Sequence, residues 1–448
     1  MDIDNIDFEF EAEASMDDLK RLLRCESFLV EYDEMSDAPF GVGNKRALMT
    51  MLDMADMDGF TVENCDNYAG HISFGKSNES DYIAILCHLD VVPPVGSWKY
   101  GPFNPTIEDG KLYCRGAADD KGPLMAVYYA MKILKNHSFI PSKEVRLIVG
   151  CDEESGSRCI KHYFTKHKYP TFAFSPDSSF PLIYGEKAIL HFDIIGTVDN
   201  SNIVSFRSGT RYNIVPDIAE LTVKHTCEDF VHEFKSNHGV SLNGNTYTFH
   251  GIASHGSTPE HGVNAVQIMF EFMDRYYPCG IARYITRYYD TTGVKQGLDI
   301  EDEEMGKLTI NLGFADYDGT SVRLGYDMRV PSDDHIEAIQ KRYVELLREF
   351  GDFKINNVQF EKRHYVDPNT AEVKLLMDIY KRVSGDFDAQ PFTIGGGTYA
   401  KYIPNAVGFG PKFVTREDMC HKADEYIYFS DYVKWMKLYT CTIHDLTM

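Results

Sequence analysis

The chain has 448 residues, with 45 Lys+Arg against 68 Asp+Glu and 43% hydrophobic residues. That apolar mass suffices for two or three packed cores and excludes a disordered, collagen-like or mini-protein scaffold. A formal charge of −23 repels phosphate backbones and anionic lipid, so neither nucleic acid nor a membrane surface is expected as a partner.

The first residues, Met1 to Glu13, are acidic and lack the basic-then-apolar pattern of a signal peptide, and no apolar run is long enough to span a bilayer. The 10 Cys are scattered without a C-x-x-C pair, which reads as reduced, buried thiols in a cytoplasmic protein. Asp81 to Val92 (DYIAILCHLDVV) is a nearly continuous apolar run, as expected of a strand buried on both faces of a mainly parallel sheet. Asp119 to Asn136 follows with Leu124, Val127, Tyr128, Met131 and Leu134 at helical spacing and Pro123 near its start. Glu144 to Cys151 and Thr171 to Ser175 are again strand-like, so the first part has a βαβ rhythm.

From about Gly185 the pattern changes. Ala188 to Ile195 and Leu308 to Val330 read as antiparallel strands, with amphipathic helices at Pro259 to Tyr277 and Ser332 to Phe350. Thr370 to Val383, Asn405 to Phe409 and Ser430 to His444 then read as helix, strand and helix of the first domain resumed. The expected organisation is α/β: residues 1–184 and 369–448 form a discontinuous domain with a mainly parallel twisted sheet and helices on both faces. Residues 185–368 form an inserted α+β domain.

In open α/β sheets, ligands gather beyond the carboxyl ends of the parallel strands. Polar residues end the buried runs here: His88 and Asp90, Asp119 and Asp120 before the helix, Asp152 to Glu154, and Asp177 after Pro176. His421 stands apart in CHKADEY. Singly, each has an ordinary explanation: a hydrogen-bonded pair, charge favourable to a helix dipole, a solvated turn. Together, two histidines and several carboxylates without a thiolate suit a borderline divalent cation such as Zn²⁺, Mn²⁺ or Co²⁺.

The segments CHLDVVP, RGAADDKGP, CDEESGS, SPDSSFP and HKADEY, in this order along nearly the whole chain, resemble the M20 family of dinuclear metallopeptidases, and most closely its PepV-like dipeptidase branch. The resemblance implies two divalent ions, zinc as first choice and manganese or cobalt as alternatives. Asp119 would bridge them, His88 and Asp177 would complete one site, and Glu154 and His421 the other. Glu153 would be the general base that activates water, Asp90 would support His88, and the Asp119–Asp120 peptide bond would be cis.

The inserted domain carries the rest of the resemblance. Ala253 to Ala265 (ASHGSTPEHGVNA) is similar to the family's lid motif, which implies that His255 stabilises the developing oxyanion. RYNIVPD and DMRVP resemble the strips that offer Asn213 and Arg329 to a substrate carboxylate. Back in the first domain, the run Gly395 to Gly397 has no side chain to block a backbone that closes around substrate, with Gly396 the expected contact. Arg329 also fits the solvated face of a half-buried strand, His255 a loop, and the glycines a plain turn. The implied activity is hydrolysis of unblocked dipeptides by a monomer whose lid closes by a hinge near residues 183–187 and 368–372. The alternatives are an N-acyl amino acid deacylase, a carboxypeptidase-like exopeptidase, or a non-catalytic binding protein that keeps the fold.

Overall fold

The computed structural model of the chain describes residues 2–78, 80–227 and 239–448. It divides into two compact units, Met1–Gly185 with Tyr365–Phe392 and Gly397–Met448, and Glu186–His364 with Thr393–Gly396. Each unit has its own apolar core.

In the first unit a mostly exposed strand β1 (Thr61–Cys65) precedes the buried β2 (Ala69–Phe74), and the apolar runs become strands covered on both faces, β3 (Tyr82–His88), β4 (Glu144–Gly150) and β5 (Phe172–Ser175). Every residue of β3 and β4 is buried, including Glu144 and Arg146. Those two neutralise each other, Arg146 donating from Nε and Nη2 to Glu144 at 2.9 and 3.1 Å, so neither charge is stranded in the sheet. Within a nine-stranded sheet the order runs β1-β2-β4-β3-β5 and then Ala406–Gly408. β3 pairs parallel with β4 and β5, Ala406–Gly408 pairs parallel with β5, and β1 and β2 form an antiparallel edge hairpin. The parallel pairing is in register at His88 with Gly150 and at Ser175 with Gly408, so the strand ends lie side by side.

Helix α1 (Lys121–Asn136) is buried on nearly all sides, and α2 (Arg158–Lys166) follows the loop after β4. The C-terminal helix Phe429–Leu446 and the helix Ala371–Ser384, capped by the Thr370 hydroxyl, complete this unit's core. Among the described residues no helix is long and apolar enough to cross a membrane.

The second unit is built on an eight-stranded antiparallel sheet whose centre is Ile203–Ser208, Thr309–Tyr317, Val322–Val330 and Ala188–Gly196. Two helices begin later than their hydrophobic spacing predicts. Pro259–His261 is only a 3₁₀ turn, and the α-helix spans Ala265–Tyr276 because the Asn264 side chain accepts the amides of Val266 and Gln267 and caps it there. Ser332 likewise caps a 3₁₀ turn, Asp333–His335, before the helix Ile336–Leu347.

Candidate metal centre

His88 is the last residue of β3, and its ring is held from behind. Nδ1 donates to the backbone carbonyl of Asp90 at 2.8 Å, which places the neutral ring's lone pair on Nε2. That Nε2 lies 2.9 Å from Asp119 Oδ1 and 3.7 Å from Asp177 Oδ2. Asp119 sits in the turn before α1, and its other oxygen lies 3.1 Å from His421 Nε2, which is also 3.1 Å from Glu154 Oε2. Asp119 is thus shared by two groups, His88–Asp119–Asp177 and Asp119–Glu154–His421. In each group the donor atoms lie within 4.8 Å of one another.

The surrounding contacts explain how the loops hold this shape. The Asp90 carboxylate accepts the amides of Glu153 and Glu154, each at 3.0 Å. Sequence spacing predicts instead that this carboxylate orients the His88 imidazole. The backbone carbonyl of Asp90 takes that part, the nearer carboxylate oxygen lying 3.6 Å from Nδ1, because the adjacent end of β4 presents two amides that need acceptors. The amide of His88 donates to Asp120 Oδ2 at 3.2 Å, and the Asp119–Asp120 peptide bond is cis.

Sequence reading overlooks Glu425 and Arg115. Arg115 Nη1 donates to Glu425 Oε2 at 2.6 Å, while Glu425 Oε1 accepts the amides of Ala118 and Asp119 at 2.8 and 3.3 Å. Both side chains are buried. The available signal is that both lie inside segments already singled out, four residues before Asp119 and four after His421.

The charge balance tests whether these residues suit a cation. Burial raises the acids of Asp177 and Glu153, and the charges of Asp119 and Asp177 respectively raise them further. Glu154 is pushed up to about 7 by burial and by Asp119. Burial opposes the charge on His421, yet hydrogen bonds to Asp119 and Glu154 outweigh it and push the imidazole up to about 11. More carboxylates converge than two imidazoles neutralise, and cations among them would relieve the repulsion. The donors are nitrogen and carboxylate oxygen, which fit a borderline divalent ion. Cys87, Cys151 and Cys420, the cysteines next to these motifs, belong to neither group of converging donor atoms, and burial raises their thiols well above the ordinary range.

The other sequence-predicted residues gather within the second unit. Ile214 pairs with His255 in a short antiparallel bridge, and the Gly256 amide donates to the Asn213 carbonyl at 2.8 Å. The Ser257 amide donates to His255 Nδ1 at 3.2 Å, so the neutral imidazole carries its proton on Nε2. Arg329 is 3% exposed, not on a solvated strand face. Its Nε and Nη2 donate to Asp327 at 2.8 and 2.9 Å, and its Nη1 donates to the Gly395 carbonyl at 2.6 Å. The glycine it binds directly is therefore Gly395. Gly396 follows in the same turn, where an added Cβ would meet only Ile394 Cδ1, at 3.3 Å.

The chain is 35% identical over 452 residues to the Bacillus subtilis (strain 168) protein named "Putative dipeptidase YtjP", with 96% of both chains covered. Its fold is similar to human carnosine dipeptidase 1, with TM-score 0.60 at 15% identity over 98% of this chain and 97% of that one. It is equally similar to a tripeptidase from Staphylococcus aureus, with TM-score 0.60 at 16% identity over 97% and 98% of the two chains. The family described as Peptidase family M20/M25/M40 matches residues 84–445, a span that includes every residue of the cluster around Asp119, and the chain belongs to that family.

Proposed function

We propose that this protein is a dinuclear metal-dependent dipeptidase acting on unblocked dipeptides. The observation that carries the reading is the position of Asp119, with Oδ1 at 2.9 Å from His88 Nε2 and Oδ2 at 3.1 Å from His421 Nε2. One carboxylate facing two imidazoles through different oxygens suits a bridge between two ions. His88 and Asp177 would hold one ion, Glu154 and His421 the other. Zinc is the first choice, with manganese or cobalt as alternatives. Bound there, the ions supply Lewis-acid polarisation of the scissile carbonyl and acidify the attacking water.

The remaining steps belong to side chains. Glu153 takes the proton of the attacking water and delivers it to the leaving amine, and Asp90 fixes the backbone from which Glu153 projects. Asp90 also holds the His88 ring through its carbonyl. His255 donates from Nε2 to the developing oxyanion. Asn213 and Arg329 bind the substrate's C-terminal carboxylate, and the Gly396 backbone closes around the bound substrate. A guanidinium has five N–H donors, and those not engaged by Asp327 and Gly395 serve the substrate.

Ten free cysteines, eight of them buried, suit a reducing compartment, and we place the enzyme in the cytoplasm. We take residues 1–184 with 369–448 as the catalytic domain and 185–368 as the inserted lid of a monomer. Assaying L-dipeptides, L-tripeptides and N-acetyl amino acids side by side tests the reading. Dipeptides are expected to turn over fastest. Turnover confined to N-acetyl substrates would replace it with a deacylase, a preference for longer peptides with another exopeptidase, and no turnover by metal-loaded protein with a binding protein.

A further inference from the structure

A second convergence of ligand-type side chains lies at the β1–β2 edge, on residues with no part in the chemistry above. Glu63 and His71 are direct cross-strand partners in the antiparallel hairpin. His167 is the C-cap residue that follows α2, and its Nε2 lies 3.1 Å from Glu63 Oε1. One donor atom from each of Glu63, His71 and His167 falls within 4.8 Å of the other two. One hairpin and the distant end of α2 therefore deliver two imidazoles and a carboxylate to one point.

The imidazoles are held in place before any ligand arrives. The Tyr163 hydroxyl lies 2.9 Å from His71 Nδ1, and the Tyr163 ring stacks on His167 with centroids 4.3 Å apart. The two histidine rings meet edge to face at 5.4 Å. His71 is buried while Glu63 is exposed, so the third donor can swing and water can complete the coordination. Donors around a tetrahedral zinc stand about 3.3 Å apart, given bond lengths of about 2.0–2.1 Å, and Glu63 Oε1 and His167 Nε2, at 3.1 Å, are already near that spacing. The carboxyl end of a helix also favours a cation beside it.

We infer that Glu63, His71 and His167 form a further site for a borderline divalent cation of the zinc type, separate from the cluster around Asp119. A bound ion would clip the end of α2 to the edge hairpin of the sheet, an edge that folded proteins need to protect. The neighbouring group Cys65–Asp66–His162 is the poorer candidate. Its Asp66 is paired with both His162 and Lys166, and burial pushes the Cys65 thiol up to about 11.

The test uses the full chain, stripped with chelator, reloaded with Zn²⁺, passed through gel filtration and counted for zinc per chain. The native protein should retain one equivalent more than the double variant Glu63→Ala/His167→Phe, with dipeptide hydrolysis unchanged between them. Phenylalanine keeps a ring against Tyr163 and Glu63 is exposed, so the variant preserves the packing. Circular dichroism checks that it folds, and if it does not, the single variant Glu63→Ala takes its place in the same count. Equal zinc in native and variant protein would mean an ion pair and aromatic stack only. Loss of the extra equivalent in Asp66→Asn, with retention in the double variant, would move the site to the neighbouring group and overturn the assignment.

Discussion

Glu425 receives the Arg115 guanidinium on one carboxylate oxygen and, on the other, the amides of the loop that carries Asp119. The pair is buried, with the Arg115 guanidinium also 5.0 Å from the centroid of the Trp98 ring. Breaking a buried ion pair by removing one partner strands the other charge and costs about 3–5 kcal/mol. Glu425→Ala should destabilise by that amount, and Glu425→Gln by less. The protein has 2 Trp, Trp98 and Trp435, both in the first unit, so urea unfolding followed by tryptophan fluorescence reports on the relevant core. A loss under about 1 kcal/mol would show that the pair behaves like an exposed one.

Glu153→Ala should leave the metal content intact and lower the rate by at least about 10²-fold, the contribution expected of a positioned general base. Metal analysis and kcat on the same preparation check both halves. A variant retaining near-native activity would mean that another residue activates the water.

Removal of divalent ions should abolish hydrolysis and loosen the loops at the ends of β3, β4 and β5, because Asp177, Glu153 and Glu154 then repel one another unless protonated. Dialysis against chelator followed by activity and melting measurements is the check, with Zn²⁺, Mn²⁺ and Co²⁺ added back separately. Undiminished turnover after complete stripping would dispose of the dinuclear mechanism.

Arg329→Ala should weaken substrates that carry a free C-terminal carboxylate more than their amidated counterparts. The ratio of the two kcat/KM values within one variant is insensitive to any loss of stability from leaving Asp327 unpaired. Arg329→Lys should recover only part of the ratio, since an ammonium cannot offer the planar fork. Equal losses on both substrate forms would contradict the anchoring role.

Asp327 supplies a pH dependence with a definite sign. Burial resists its ionisation, but the Arg329 charge and the hydrogen bond to His191 outweigh that and lower it from 3.8 to about 2. A depressed carboxylate stabilises the folded state fully above its unfolded value, and the contribution fades as pH falls from about 4 to about 2. The shift corresponds to about 2 kcal/mol. Hydrogen exchange along Val322–Val330 should therefore separate the native protein from Asp327→Asn at pH 6 and converge toward pH 2. A gap that widens on acidification would reverse the sign.

Much of the architecture was legible in the residues themselves, because burial imposes a period on nearby positions. Runs such as Ile83 to Cys87 and Val145 to Val149 had to be strands covered on both faces, and the spacing of Leu124, Val127, Tyr128 and Met131 had to be a helix between them. The polar residues that interrupt those runs mark the strand ends, so His88, Asp119, Glu154 and Asp177 are candidates on local pattern alone. Folding then decided what periodicity does not encode. Contacts between separate segments set the partners of each group, 63 positions apart for Asp90 and Glu153 and 306 for Glu425 and Asp119. Asp90 turned its carboxylate to the Glu153 and Glu154 amides, Glu425 came to hold the Asp119 loop, Arg329 was buried against Asp327 and Gly395, and the end of α2 brought His167 to Glu63 and His71. A hydrogen bond depends on ångström-scale placement of two whole segments, and a local pattern of apolar and polar residues specifies each segment without specifying where its neighbour lies.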